Sequence, residues 1–148
     1  MVIKYQTGYW MVDTASLSWQ PGADRKIKGG PLIDLAALQD GIRQGLLVDE
    51  SVWLATDRCE RDLQNYRWGH ADVLTMLDCL KPGPKGDYRK SEWCEVKGGR
   101  WVPCDVYRLN YDSERQCRNP NALEVYLKFS IEEDGALTLV MVSCHGSR

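Results

Sequence analysis

The spacing of apolar residues changes near residue 81, and this change limits the possible folds more than any other feature of the sequence. Residues 31–80 repeat apolar side chains at intervals of three and four, which is the period of one helix face. Asp34 is placed to cap the first helix with its carboxylate. Two prolines within 81–86 prevent the last helix from continuing. The pattern predicts three helices, at 31–47, 51–64 and 70–80.

After residue 87, apolar and polar side chains alternate, as expected of strands with one buried face. In the segment 123–131 the odd-numbered side chains are apolar and the even-numbered ones are polar. In the last strand the same alternation puts Val142 and Cys144 on one face, opposite Met141. Gly135 is expected to take a positive φ in the turn before that strand. Four strands are predicted, at 88–94, 100–109, 123–131 and 136–144.

These elements predict an α+β fold, in which three N-terminal helices pack on one face of an antiparallel sheet of about four strands. A length of 148 residues suits one domain. Residues 1–30 contain a loop rich in proline and glycine and match no recognised pattern. We therefore interpret them as an N-terminal extension and connector, and residues 31–148 as the domain.

Composition excludes several classes of protein. The formal net charge of −2 argues against a generally basic nucleic-acid binder. The longest apolar run, at 137–142 and broken by Thr138, is far too short to span a membrane. The first ten residues show no secretory signal, so we expect a cytoplasmic protein whose six cysteines are mostly reduced.

Four segments of the second half occur in a distinctive order. They are DYRKS at 87–91, DVYR at 105–108, VYLK at 125–128 and an apolar strand ending in SCH at 143–145. This order resembles the MqsR family of bacterial toxins, with the similarity extending over 31–145. The resemblance implies a RelE-like fold and a toxin of a type II toxin–antitoxin system. Such toxins are metal-independent endoribonucleases that cleave mRNA, need no cofactor and are neutralised by a cognate antitoxin protein.

The resemblance also implies site residues. The family's activity is attributed to a lysine of the first strand, a glutamine before Asp-Val-Tyr, the tyrosine of Val-Tyr-Leu-Lys and a terminal lysine. In this sequence the four positions hold Lys90, Cys104, Tyr126 and His145. Lys90 and Tyr126 match, whereas a thiol cannot replace an amide that both donates and accepts hydrogen bonds. We expect Lys90, Tyr126 and His145 to be catalytic. We expect Cys104, Arg108 and Lys128 to contact the substrate, and we expect no metal site.

The chemistry of these residue types fits RNA cleavage. Cleavage without a metal needs a base for the ribose 2′-OH, an acid for the leaving 5′-oxygen and cations for the extra phosphate charge. His145 can act as either acid or base near neutral pH. Lys90 supplies a cation, and Tyr126 supplies a phenol that can donate a proton or stack on a base. Tyr126 and Lys128 share the polar face of their strand, as an open groove requires.

Two other functions remain open. The departures at Cys104 and His145 favour an inactive binding module of the same fold, which acts through a protein partner that contacts the aromatic N-terminal segment. A structural subunit of an operon-encoded complex is the third alternative. The toxin hypothesis expects mRNA and an antitoxin as partners, with no membrane and no DNA bound by the chain itself. Growth arrest on expression separates the toxin from the inactive binder.

Overall fold

In the computed structural model, residues 8–146 are described and form three α-helices and a seven-stranded sheet. The helices are α1 (Leu35–Arg43), α2 (Asp57–Tyr66) and α3 (His70–Cys79). Single turns of 3₁₀ helix occur at Thr14–Ser16 and Asp49–Ser51. The strands are β1 (Lys26–Ile27), β2 (Val52–Leu54), β3 (Tyr88–Glu95), β4 (Trp101–Asp112), β5 (Cys117–Arg118), β6 (Glu124–Glu133) and β7 (Leu137–Gly146).

The predicted architecture, a RelE-like set of three helices on about four antiparallel strands, is wrong. The sheet has the strand order β1-β3-β4-β6-β7-β2, and β5 pairs with β4 outside this path. It is mixed rather than antiparallel, because β2 runs parallel to β7. The strands that the sequence did not predict are β1, β2 and β5. Each has only two or three residues, which is too short for alternation to be visible.

Strand β2 also corrects the second predicted helix. The segment 51–64 was expected to be one helix, but its first part pairs with β7 and α2 begins only at Asp57. Thr56 marks the change, because its hydroxyl accepts a hydrogen bond from the backbone N–H of Cys59 at 3.0 Å. This is an N-cap, which starts a new helix after the strand.

The other long elements lie close to their predicted positions. The carboxylate of Asp34 accepts a hydrogen bond from the backbone N–H of Ala37 at 3.1 Å and caps α1, as predicted. Helix α3 ends at Cys79, before the proline-rich loop. Gly135 has a φ of 73° between β6 and β7, which confirms the predicted turn.

The apolar core lies between the helices and one face of the sheet. Leu38 of α1, Leu63 of α2 and Leu77 of α3 pack there with Leu127 of β6 and Leu139 of β7. Side chains alternate along each strand, so the sheet has a second face that points away from this core. We call it the open face. A smaller cluster of buried residues covers one end of the open face: Ala55, Cys94, Val96, Val102, Cys104, Val140 and Val142.

Asp105 fastens the segment before α1 to the sheet. Its fully buried carboxylate accepts hydrogen bonds from the backbone N–H groups of Leu32 at 3.0 Å and Ile33 at 2.9 Å. It also accepts a hydrogen bond from the hydroxyl of Ser91 at 2.6 Å. Burial raises the pKa of Asp105 above its ordinary value, although these hydrogen bonds oppose the rise.

Part of the segment expected to be a connector belongs to the sheet. Strand β1 forms the edge next to β3, with Lys26 opposite Glu92. Residues 1–7 of that segment lie outside the described residues, as do 147–148. Within 8–146, none of the helices has the length and apolar character needed to cross a membrane.

Candidate functional site

The open face carries a polar groove that crosses four strands and has a volume of about 530 Å³. Each strand contributes two of the eight lining residues. They are Arg89 and Lys90 of β3, Val106 and Arg108 of β4, Tyr126 and Lys128 of β6, and Ser143 and His145 of β7. Four of the eight are Lys or Arg, and none is Asp or Glu. A concave surface lined by one sign of charge concentrates ligands of the opposite sign, so the groove suits a polyanion.

Cross-strand pairing arranges most of these residues in two rows. The first row runs from β3 to β7 through Lys90, Val106, Lys128 and Ser143. The second runs from β4 to β7 through Arg108, Tyr126 and His145. Directly opposed residues of antiparallel strands have Cβ atoms about 5 Å apart. The ring centroids of Tyr126 and His145 lie 5.7 Å apart, so one small substrate group can contact both.

A β-bulge in β7 directs His145 into the groove. The pairing of β7 with β6 shifts at Val142, which is the extra residue. Met141 lies in the apolar core, so strict alternation would direct His145 toward the core as well. The bulge reverses the alternation, so that Cys144 packs in the core and His145 lines the groove. The prediction that Cys144 shares a face with Val142 is therefore wrong.

A second bulge, in β3, has the same effect on Lys90. The pairing of β3 with β4 shifts between Tyr88 and Lys90, which makes Arg89 the extra residue. Tyr88 packs against the apolar core, so without the shift Lys90 would face the helices. With the shift, Arg89 and Lys90 both line the groove. Bulges commonly redirect side chains beside functional sites.

Glu92 lies at one end of the groove and pairs with two of its lysines. Its carboxylate oxygens lie 2.9 Å from Nζ of Lys90 and 3.7 Å from Nζ of Lys128. Burial raises the pKa of Glu92, but the hydrogen bond from Lys90 and the charges of both lysines outweigh burial and leave the pKa below its ordinary value. Glu92 therefore stays ionised and holds the two ammonium groups close together, with one positive charge in excess.

Glu124 lies at the other end and links Arg108 to Tyr126. The hydroxyl of Tyr126 donates a hydrogen bond to Oε1 of Glu124 at 2.9 Å. Nη1 of Arg108 lies 3.2 Å from Oε2 of the same carboxylate. Because its proton is directed at Glu124, the phenol of Tyr126 presents lone pairs as the acceptor for a further hydrogen bond.

The backbone determines the tautomer of His145. Its Nδ1 lies 2.8 Å from the carbonyl oxygen of Gly146. A carbonyl only accepts hydrogen bonds, so Nδ1 carries a proton. In the neutral ring the lone pair is then on Nε2, and in the charged ring Nε2 has a proton to give.

The structure brings together five of the six residues predicted from the sequence: Lys90, Arg108, Tyr126, Lys128 and His145. Cys104, the predicted substrate contact, is not among the groove residues. It is fully buried in the small cluster of the open face, and its Sγ lies 3.7 Å from the carbonyl oxygen of Val102. Burial, followed by the adjacent thiol of Cys94, raises the pKa of Cys104 well above its ordinary value, so the thiol stays neutral.

Sequence reasoning did not select Arg89, Glu92, Glu124 or Ser143. Glu124 precedes Tyr126 by two residues on the same polar face, so strand alternation could have identified it. Arg89 and Ser143 depend on the two bulges, and the pairing of Glu92 depends on which strands are neighbours. Neither of these features is visible in a single sequence.

Comparisons with known proteins add no functional assignment. No family model matches the chain, and no curated protein or solved structure is significantly similar to it. Among residues 8–146, no group of three or more His, Cys, Asp or Glu side chains is positioned to hold a metal ion.

Proposed function

We propose that this chain is a metal-independent endoribonuclease that cleaves mRNA, and that it acts as the toxin of a type II toxin–antitoxin system. One observation carries the proposal. Tyr126 and His145 lie opposite each other in a groove whose other ionisable lining residues are cations. With a phosphate bound between the two side chains, one of them can accept a proton and the other can donate one.

The cations account for phosphate binding. Arg89, Lys90, Arg108 and Lys128 surround the groove, and within residues 8–146 the carboxylates that pair with them are Glu92 and Glu124, at its two ends. A phosphodiester in the groove gains further negative charge as the 2′-oxygen attacks phosphorus. Fixed positive groups stabilise that charge without rearranging during the reaction.

The hydrogen bonds assign the proton transfers. The 2′-OH of the substrate gives its proton to the oxygen of Tyr126, while the phenol proton moves to Glu124. The 2′-oxygen then forms a bond to phosphorus, and the bond from phosphorus to the 5′-oxygen breaks. The charged ring of His145 gives its Nε2 proton to that leaving oxygen. The products are a 2′,3′-cyclic phosphate and a 5′-hydroxyl.

A cleavage assay in EDTA tests the proposal. Single-stranded RNA is incubated with the wild-type protein and with Lys90→Ala, Tyr126→Phe and His145→Ala. Loss of a positioned acid or base lowers a rate by about 10²–10⁴-fold, and we expect reductions in this range for Tyr126→Phe and His145→Ala. The wild-type products should end in 2′,3′-cyclic phosphate.

The chain offers a matched control for each variant. Lys85 is exposed in the loop before β3, and His70 is the other histidine of the chain, at the start of α3. The hydroxyl of Tyr111 is buried without a hydrogen-bond partner in the described part of the chain, on the helix side of the sheet. Lys85→Ala, His70→Ala and Tyr111→Phe should all cleave at the wild-type rate. Equal losses in these controls would contradict the assignment of the groove as the active site.

Expression in bacteria tests the toxin role. The support for this role is the motif order of 87–145, which resembles that of MqsR toxins. Wild-type protein should arrest growth, Lys90→Ala should not, and co-expression of a cognate antitoxin should restore growth. A catalytically inactive module that binds a protein partner is the alternative, and the buried position of Cys104, where a toxin has a glutamine, favours it. RNA that stays intact with the wild-type protein would support this alternative.

A further inference from the structure

A second depression adjoins the groove at the β1 edge of the sheet. It has a volume of about 320 Å³ and is lined by Asp24, Arg25, Lys26, Lys90, Ser91 and Glu92. Lys90 lines both the depression and the groove, so the two form one continuous surface. The proposed nuclease mechanism uses none of Asp24, Arg25 and Lys26.

Lys26 is directed toward this surface by the pairing of β1. Ile27 packs against the apolar core, so its neighbour Lys26 points to the open face. On that face Lys26 lies opposite Glu92 in the register of β1 and β3. Lys26 is exposed, and its ammonium forms no ion pair with any residue of the described chain. The acidic residues of the depression are Glu92 and Asp24, whose carboxylate accepts a hydrogen bond from the backbone N–H of Lys26 at 3.0 Å. Against them stand Arg25, Lys26 and Lys90, so the depression has one positive charge in excess, which is available to an anion.

The residue before Lys26 holds the edge strand in place. The carbonyl oxygen of Arg25 accepts a hydrogen bond from the backbone N–H of Trp93 at 2.8 Å. The guanidinium of Arg25 lies 4.9 Å from the ring centroid of Trp101, within cation–π distance. These contacts engage Arg25 within the protein, so that Lys26 is the side chain that can bind a ligand.

We propose that Lys26 and Lys90 form a second phosphate subsite, which binds a phosphodiester further along the same RNA strand. This inference rests on the proposed function. Neighbouring strands lie about 4.8 Å apart, so β1 is about 14 Å from β6, which carries Tyr126. That distance is several times the roughly 3.4 Å rise between stacked nucleotides. The subsite therefore requires an RNA that extends well beyond the scissile bond.

A binding titration tests the subsite independently of cleavage. The probe is a fluorescent single-stranded RNA of about ten nucleotides with 2′-O-methyl groups throughout, which cannot form a cyclic phosphate. Its association constant is measured by anisotropy at several salt concentrations. Each phosphate contact on a single strand contributes about 0.7 to the slope of log K against log salt. We expect Lys26→Ala to reduce the slope by about this amount, Lys26→Arg to retain it and Lys85→Ala to match the wild-type protein.

A second probe shows where the contact lies. A 2′-O-methyl dinucleotide is too short to reach from the groove to β1, so Lys26→Ala should weaken the longer RNA more than the dinucleotide. An unchanged slope in Lys26→Ala, or equal losses on both probes, overturns the inference. So does an absence of binding by the wild-type protein. If the wild-type protein cleaves unmodified RNA but Lys26→Ala leaves the salt slope unchanged, the subsite alone is refuted. If Lys26→Ala reduces the slope but the wild-type protein does not cleave RNA, the nuclease alone is refuted.

Discussion

Replacing Glu124 by glutamine tests the proton pathway in the groove. Glutamine has nearly the same shape and still presents an oxygen to the hydroxyl of Tyr126, which lies 2.9 Å from the carboxylate. It has no negative charge, so it can neither take up the phenol proton nor pair with Arg108. The variant therefore separates two roles of Glu124, the orientation of the phenol and the acceptance of a proton.

The two roles differ in magnitude. A hydrogen bond to a charged group contributes about 1.5–3 kcal/mol, and one between neutral groups about 0.5–1.5 kcal/mol. The Glu124 side chain is 27% exposed, so the lower part of each range applies. Loss of the charge then costs about 1 kcal/mol, which is about fivefold in rate. Loss of a proton acceptor costs about 10²–10⁴-fold.

The assay is single-turnover cleavage of RNA in EDTA, and we expect Glu124→Gln to be at least about 100-fold slower than the wild-type protein. Glu132 provides a matched control, because it lies on the same strand and pairs with Arg100 at 2.8 Å, outside the groove. Glu132→Gln should cleave at the wild-type rate. A loss of only about fivefold in Glu124→Gln would show that Glu124 orients Tyr126 without accepting its proton. An unchanged rate would refute both roles.

Three further substitutions test the surroundings of the groove, with urea unfolding as the measurement. The lowered pKa of Glu92 means that its ionised form stabilises the fold above the ordinary pKa of 4.5, and that this stabilisation is lost as the pH falls through the lowered pKa. Glu92→Gln should therefore have a smaller free energy of unfolding than the wild-type protein at neutral pH, and this difference should shrink in acid. A difference that does not change with pH would contradict a lowered pKa of Glu92. Cys104→Gln should destabilise the fold by about 1–3 kcal/mol through overpacking and should not speed cleavage; faster cleavage would show that this position contacts the substrate. Asp105→Ala leaves the backbone N–H groups of Leu32 and Ile33 without an acceptor, at about 1–3 kcal/mol each, whereas the hydroxyl of Ser91 keeps that of Tyr88 as a partner at 2.7 Å. A loss below about 1 kcal/mol would refute the fastening role of Asp105.

The long elements could be predicted because each contains several periods of its apolar pattern. The strand that became β6 alternates over nine residues, and this placed Tyr126 and Lys128 on one face. The short strands carried no such signal. They form because neighbouring strands present hydrogen-bonding edges, as β7 does to the three residues of β2. Tertiary pairing of this kind is not encoded in local periodicity.

The groove was less predictable than the sheet, for a physical reason. One extra residue in a strand reverses the face of every side chain beyond it. Alternation along β7 would therefore direct His145 toward the core, and only the bulge at Val142 returns it to the groove. The resemblance to MqsR toxins placed His145 with Tyr126, although the same resemblance wrongly implied the architecture. Cys104, taken from that motif, lies outside the groove.

The most direct test of the proposed nuclease is the identity of the nucleophile. Two RNAs of the same sequence are incubated with the wild-type protein in EDTA, one of them carrying a single 2′-deoxyribose at the mapped cleavage site. If the ribose 2′-oxygen is the nucleophile, the unmodified RNA is cut there to a 2′,3′-cyclic phosphate and the deoxy-substituted bond survives. Cleavage of both RNAs at the same rate, or an intact RNA in both reactions, would contradict the proposal.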